Sequence, residues 1–182
     1  MMNRILFACL LLSLFSGGSS LSCRWLDHKF RQYNEKCLEL LDAMVNNSTK
    51  PSEDDELDVD FPHDLYNQTS KASTRHRLVF IVQVLKEVFK LLEKNHSLAS
   101  WEEQSVENFL NLVIRQTHEL RHCIGSHIHK WKNDDLAKYF HTLSNHITKM
   151  GHSAEVWELI REEIQLHLFR VHQLASSLMT NN

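Results

Sequence analysis

The sequence predicts an all-α bundle of five long helices and one short helix, and three observations carry that prediction. Only four glycines and two prolines occur in 182 residues, against average usage of about 7% and 5%, so helix breakers are scarce. Apolar residues recur at steps of three and four, and no clear run alternates with the period of two that a half-buried strand requires. The link between the first and the central helix spans about 27 residues, enough to travel the length of a bundle. At this length, with 42% hydrophobic residues, the chain is one domain with a substantial core.

Residues 1–22 read as a secretory signal peptide rather than as structure. Arg4 precedes an apolar run from Ile5 to Phe15, and small residues from Gly17 to Ser20, with Ser22, fit a cleavage before Cys23. About eleven apolar residues are too few to span a bilayer. The expected product is a secreted, soluble domain over 23–182 with no insertion into a membrane. Beyond Cys9 in the leader, three cysteines remain, Cys23, Cys37 and Cys123, which allows one bridge and one leftover thiol. Sequons at Asn46, Asn47, Asn67 and Asn95 agree with a glycosylated secreted chain.

Residues 24–46 form the first helix, with Leu26, Phe30, Tyr33, Cys37, Leu40 and Met44 on a seam spaced four and three. Cys37 on that seam reads as a small buried hydrophobe without a disulfide. Residues 47–61 carry Pro51 and an acidic run, a solvated connection. A short helix starts at Pro62, facing Leu65 and Tyr66 inward. Residues 74–94 are apolar around most of the circumference, from Leu78 to Leu92, so this helix is central. Ser100 with Glu103 reads as a capping box opening a helix to about His129, whose stripe runs from Val106 to Cys123. A fifth helix spans Asp134 to Met150, with Leu136, Phe140, Leu143, Ile147 and Met150 at heptad spacing. Gly151 ends it, and Ser153 caps the last helix, which runs to Met179. Its stripe is Trp157, Ile160, Ile164, Leu168, Val171, Ala175 and Leu178.

The chemistry-bearing motifs are few. His118-Glu119-Leu120-Arg121-His122 matches H-E-x-x-H, in which two histidines one turn apart hold zinc and the glutamate activates water. Gly125 falls where the longer metalloprotease motif needs it, but Ile128 stands where a third histidine belongs, and His127 and His129 flank that position. The chain also lacks a strand pattern for the sheet such enzymes carry. A zinc hydrolase using His118, Glu119 and His122 therefore stands only as an alternative of a different class, and no catalytic residue, metal ligand or cofactor is assigned. The 13 histidines read as solvated surface residues, and Trp101 and Trp131 as lids on the core. A net charge of −3 argues against a nucleic-acid partner. No nucleophile constellation or glycine-rich phosphate loop is present.

Three places carry a resemblance: CRWLDHKF from Cys23, LRHCIGSH around Cys123, and WELIREEI from Trp157. Together they resemble the type I interferons, most closely the fish subgroup with two paired cysteines. The resemblance implies a bridge between Cys23 and Cys123. With that bridge, the start of the first helix lies beside the end of the fourth element. The long link is then an overhand crossover, giving the up-up-down-down bundle of the long-chain helical cytokines. The second bridge of many members has no counterpart, since Ala154 and Glu155 precede Trp157 where a cysteine would stand.

As function, the resemblance implies an antiviral cytokine, not an enzyme, that bridges two chains of a heteromeric class II cytokine receptor on the cell surface. Another helical cytokine or hormone is the nearest alternative. One receptor chain is expected on the first helix, the long connection and the last helix, the other on the opposite face. Arg161 alone matches a motif position tied to receptor contact. It lies about 40° from Trp157 and about 60° from Ile164 in projection, so its guanidinium is expected in water at the core edge, paired with Glu158 or Glu162 or engaged by the receptor.

Overall fold

A computed structural model of the chain describes residues 24–44, 57, 59–93, 99, 101–125 and 132–179. After a π-helical turn at Leu26–Phe30, the helices are α1 (Arg31–Ala43), α2 (His63–Ser70), α3 (Thr74–Glu93), α4 (Glu103–Ile124), α5 (Asp134–Lys149) and α6 (Ala154–Met179). These are the five long helices and the short one that the sequence predicts. No strand occurs among the described residues, and no described helix is long and apolar enough to cross a membrane. The leader at 1–22, Cys23, Asn46, Asn47, Asn95, Ser100, His127, His129 and Trp131 lie outside the described residues.

Four helices close a ring in which α1 packs on α4, α4 on α3, α3 on α6 and α6 on α1. Their directions follow from named contacts. Asn34 meets Leu168 while Asp42 meets Gln165, so α1 and α6 run antiparallel. Arg77 near the start of α3 reaches Ser177 near the end of α6, so these two also oppose. Arg75 reaches the Ile124 carbonyl, and Lys86 and Phe89 share a groove with Ile114 and Arg121, so α4 opposes α3. The order is up-up-down-down, with α5 laid against α3 and α6.

The core follows the expected stripes on α3 and α6, but on α1 Asn34 and Leu41 are fully buried while the expected Tyr33 and Leu40 are only half-buried. On α6, Trp157, Ile160, Ile164, Leu168, Val171 and Ala175 are all fully buried, and Leu178 is 7% exposed. On α3 the buried residues surround the helix, from Leu78 to Leu92. Burying a side chain of this size contributes about 1.5–3 kcal/mol each, so α3 and α6 dominate the stability of the bundle. Tyr66 is buried and Leu65 half-buried on α2, as expected.

Helix ends explain the differences. α4 is capped by Glu102, whose carboxylate accepts from the Gln104 and Ser105 amides; the expected box with Glu103 involves Ser100, outside the described residues. It ends at Ile124, short of His129, because Gly125 takes φ 77° and returns its N–H to the Arg121 carbonyl. Ile124 rather than Cys123 completes the buried stripe. Between α5 and α6, Gly151 donates to Thr148 and His152 to Ile147, with φ of 63° and 58°. That is a Schellman turn. Met150 is its cap, beyond the last regular turn, and so is 42% exposed instead of continuing the α5 stripe. Ser153 Oγ accepts from the Val156 amide at the start of α6, as the sequence implies.

Candidate functional site

A ring of four helices leaves each one an outward face, and the informative faces are those that break the rule of apolar inside. α6 carries Glu162, Leu166, Phe169 and Gln173 on one outward stripe, and Phe169 is 51% exposed. Neighbouring elements rim the stripe. On the α1 side Gln165 Nε2 donates to Asp42 Oδ1 at 3.0 Å. On the α2 side Arg170 donates to Asn67 Oδ1 and Gln173 Oε1, both at 3.1 Å, and lies 5.5 Å over the Tyr66 ring. Among the described residues no carboxylate pairs with Arg170, and its Nε is buried without a partner. An exposed aromatic beside an uncompensated guanidinium is the composition of a protein-docking hot spot.

The second exposed apolar side chain of this kind is on α4, the helix diagonal to α6 in the ring. Ile114 is 48% exposed. It opens a groove between α3 and α4 lined by Lys86, Phe89, Thr117, His118 and Arg121. Partial burial holds the Lys86 ammonium below its usual range, with Arg121 and Lys90 adding repulsion. Both faces thus set an exposed apolar side chain beside cationic groups, on opposite sides of one bundle, with Glu162 and Asp42 adding acidic groups at the α6 face.

Beneath α2 lies a polar cluster that locks it to the bundle. His167 on α6 is fully buried, with Phe61, Tyr66, Tyr139 and Phe140 packed around its ring. Burial depresses its pKa to about 3, so the ring is neutral. Tyr66 Oη lies 2.6 Å from His167 Nδ1, and burial pushes the phenol's pKa well up. The phenol and the ring nitrogen share one proton across this contact, and Nε2, 3.8 Å from Glu163 Oε1, has no hydrogen-bond partner among the described residues. Tyr139 donates to that same carboxylate oxygen, and burial raises the Glu163 pKa.

Arg161 differs from expectation. Its side chain is 10% exposed, and Nε donates to Glu158 Oε2 at 2.8 Å. Glu158, itself buried, accepts on its other oxygen from Trp101 Nε1 at 2.9 Å. Trp101 stacks edge-on against Trp157, 5.5 Å between centroids, which is the lid its sequence position suggests. The guanidinium is drawn inward because a buried carboxylate must be paired. Nη2 still approaches the exposed Glu162 at 3.8 Å.

The other sequence-selected residues are scattered. Cys37 is buried, accepts from Gln116 Nε2 at 3.2 Å, and burial pushes its pKa up to about 12, so it is an inert thiol. Cys123 is half-buried on the last turn of α4. Asn67 is exposed on α2, with Thr69 of its sequon turned inward. His118 and His122 are exposed, with their Nε2 atoms 3.1 Å apart. No group of three metal-ligating side chains occurs among the described residues. Phe169, Arg170 and Ile114 escaped sequence reasoning. Phe169 and Arg170 follow core residue Leu168 in an apolar helix, and only the packing of α1 and α2 reveals which flank stays open.

The model of the interferon alpha/beta domain family matches residues 26–178. Interferon a3 of Oncorhynchus mykiss is 31% identical over 157 residues, covering 86% of each chain. Interferon beta of Felis catus is 22% identical over 181 residues, covering 96% of each. Among solved structures, zebrafish interferon 1 superposes with a TM-score of 0.73 at 27% identity, over 85% of this chain and 99% of that one.

Proposed function

Because this chain belongs to the interferon alpha/beta family, we propose that it is a secreted antiviral cytokine that bridges two chains of a heteromeric class II cytokine receptor. Members of the family are cytokines, not enzymes, so the hydrolase alternative at His118, Glu119 and His122 falls with that membership. Binding of a cell-surface cytokine receptor follows from the family. The bridging geometry rests on one observation: Phe169 and Ile114 are exposed on diagonally opposite helices of the ring. A ligand that joins two receptor chains needs two docking faces that do not overlap.

In this reading one chain meets the α6 stripe around Phe169 and Arg170, with α1 and α2 at its rim. The other meets Ile114 and the groove holding Lys86 and Arg121. Arg161 serves the first face indirectly, holding Glu158 and the start of α6 in place and reaching Glu162 at the edge of the stripe. The leader at 1–22 directs secretion, Cys23 and Cys123 form the bridge of the fish two-cysteine subgroup, and Asn46, Asn47, Asn67 and Asn95 are the glycan acceptors. A glycan on Asn67 would stand at the rim beside Arg170, so occupancy there tunes access to the first face. Applying the mature protein to cells of the source animal tests the reading. Antiviral genes should be induced, and deletion of either receptor chain should abolish induction. Induction that survives both deletions would reject it.

A further inference from the structure

We propose that His118 and His122 form a two-imidazole chelate for a late first-row divalent cation, Cu²⁺ most tightly and Zn²⁺ more weakly. The inference goes beyond receptor binding, although His118 also borders the α4 groove proposed for the second chain, and it involves no hydrolysis. Of the 13 histidines, these are the one pair spaced i, i+4, the spacing that stacks two side chains on one face of a helix. Both are exposed, so the imidazoles are open to an incoming ion.

The geometry is already assembled. The two Nε2 atoms lie 3.1 Å apart and the ring centroids 4.4 Å apart. At metal–nitrogen bonds of about 2.0–2.1 Å, two nitrogens 3.1 Å apart subtend about 98° at a shared ion. That angle falls between the right angle of a tetragonal site and the wider tetrahedral angle. Copper tops the affinity order for imidazole sites, with zinc below it. In the free protein one ring donates its Nε2 proton to the other. On binding, that ring moves its proton to Nδ1, which frees both Nε2 lone pairs. Because the rings converge without metal, little ordering remains to oppose the ion.

The surroundings set the limits. Among the described residues no group of three metal-ligating side chains includes the pair. Glu119 is adjacent in sequence and therefore about 100° around the helix from His118, off the chelating face. Arg121 and Lys86 line the groove that His118 borders, and their charge opposes a cation. The site is therefore an exchangeable chelate on the last turns of α4, and neutralising Arg121 should strengthen it.

Calorimetric titration of the mature full chain with Cu²⁺ alone and with Zn²⁺ alone tests the proposal. Paramagnetic resonance of the Cu²⁺ sample reports how many nitrogens are bound. The expected result is one ion per chain with two imidazole nitrogens, and an affinity reduced by roughly tenfold or more in either His118→Ala or His122→Ala. Glu119→Gln should bind like the wild type, Arg121→Gln should bind more tightly, and Ca²⁺ should not bind, since it demands oxygen ligands. Wild-type affinity no greater than that of the double alanine variant would overturn the chelate, as would wild-type affinity in a single variant or loss of binding on Glu119→Gln. Exposure of both residues predicts unchanged helical content in every variant, which circular dichroism checks on the same samples.

Discussion

Arg161→Ala separates two roles that the sequence alone leaves joined. The change deletes the partner of Glu158 Oε2 and leaves a carboxylate that is 6% exposed with only the Trp101 indole donating to it. Breaking a buried ion pair by removing one partner costs about 3–5 kcal/mol. The remaining indole bond places the expected loss near the low end, about 3 kcal/mol. In a domain of this size that corresponds to a fall in Tm of roughly 6–12 °C. Replacing both partners by apolar residues, Glu158→Leu with Arg161→Met, should recover all but about 1–2 kcal/mol, the share of the indole left without an acceptor. Urea unfolding and surface affinity for the isolated receptor chains, measured on one preparation, give both numbers. A stability loss below about 1 kcal/mol, the range of an exposed pair, together with a large loss of affinity per folded molecule, would refute the reasoning and make Arg161 a direct contact.

Other expectations follow from the same structure. Mass spectrometry of unreduced peptides should link Cys23 to Cys123; a link to Cys37 would contradict the buried thiol seen on α1. Removing that bridge should cost a few kcal/mol, about 4–5 in the chain-entropy model for a loop near 100 residues, whereas Cys37→Ala should cost about 1–2 kcal/mol. Stability should fall on acidification because His167 stays neutral in the fold down to about pH 3 while the unfolded imidazole binds a proton below about pH 6.5. The unfolded state then holds the extra proton, so the slope from this group approaches about 1.4 kcal/mol per pH unit below that point. The raised pKa of Glu163 acts in the opposite sense, since the folded carboxyl takes up its proton first; Tyr66 and Tyr139, both raised by burial, do not titrate there. Urea melts between pH 7 and 5 should show the loss, and His167→Gln should flatten it. Glu119→Gln should leave folding and signalling unchanged in a gene-induction assay, because the H-E-x-x-H match serves no hydrolysis.

The bundle was legible because its signals are local and redundant. Six of the seven α6 stripe positions reached full burial on periodicity alone, and Gly151 and Ser153 marked one helix end and the next start without tertiary help. The misses share a cause. Several side chains near Glu102 could serve the same amides, and Gly125, at φ 77° and ψ −168°, stops α4 short of the expected end near His129. The π-helical turn at Leu26–Phe30 has no composition signal at all. The burial of Arg161 was not legible because helical projection gives an angle, not a depth: Trp101, 60 residues away in sequence, carries the indole that binds Glu158 and closes the pocket over it. Phe169 and Ile114 were invisible for the same reason, since exposure of an apolar residue is decided by which neighbours fail to cover it.

The two-face geometry is tested most directly by sequential capture, with one receptor chain immobilised, then this protein, then the second chain. The account predicts that Phe169→Ala removes at least about 2 kcal/mol of affinity for one chain, the hot-spot range, and leaves the other unchanged. Ile114→Ala should weaken the other chain selectively, with both variants as stable as the wild type. If both variants weakened the same chain, or neither altered either affinity, the assignment of opposite docking faces on α6 and α4 would be wrong.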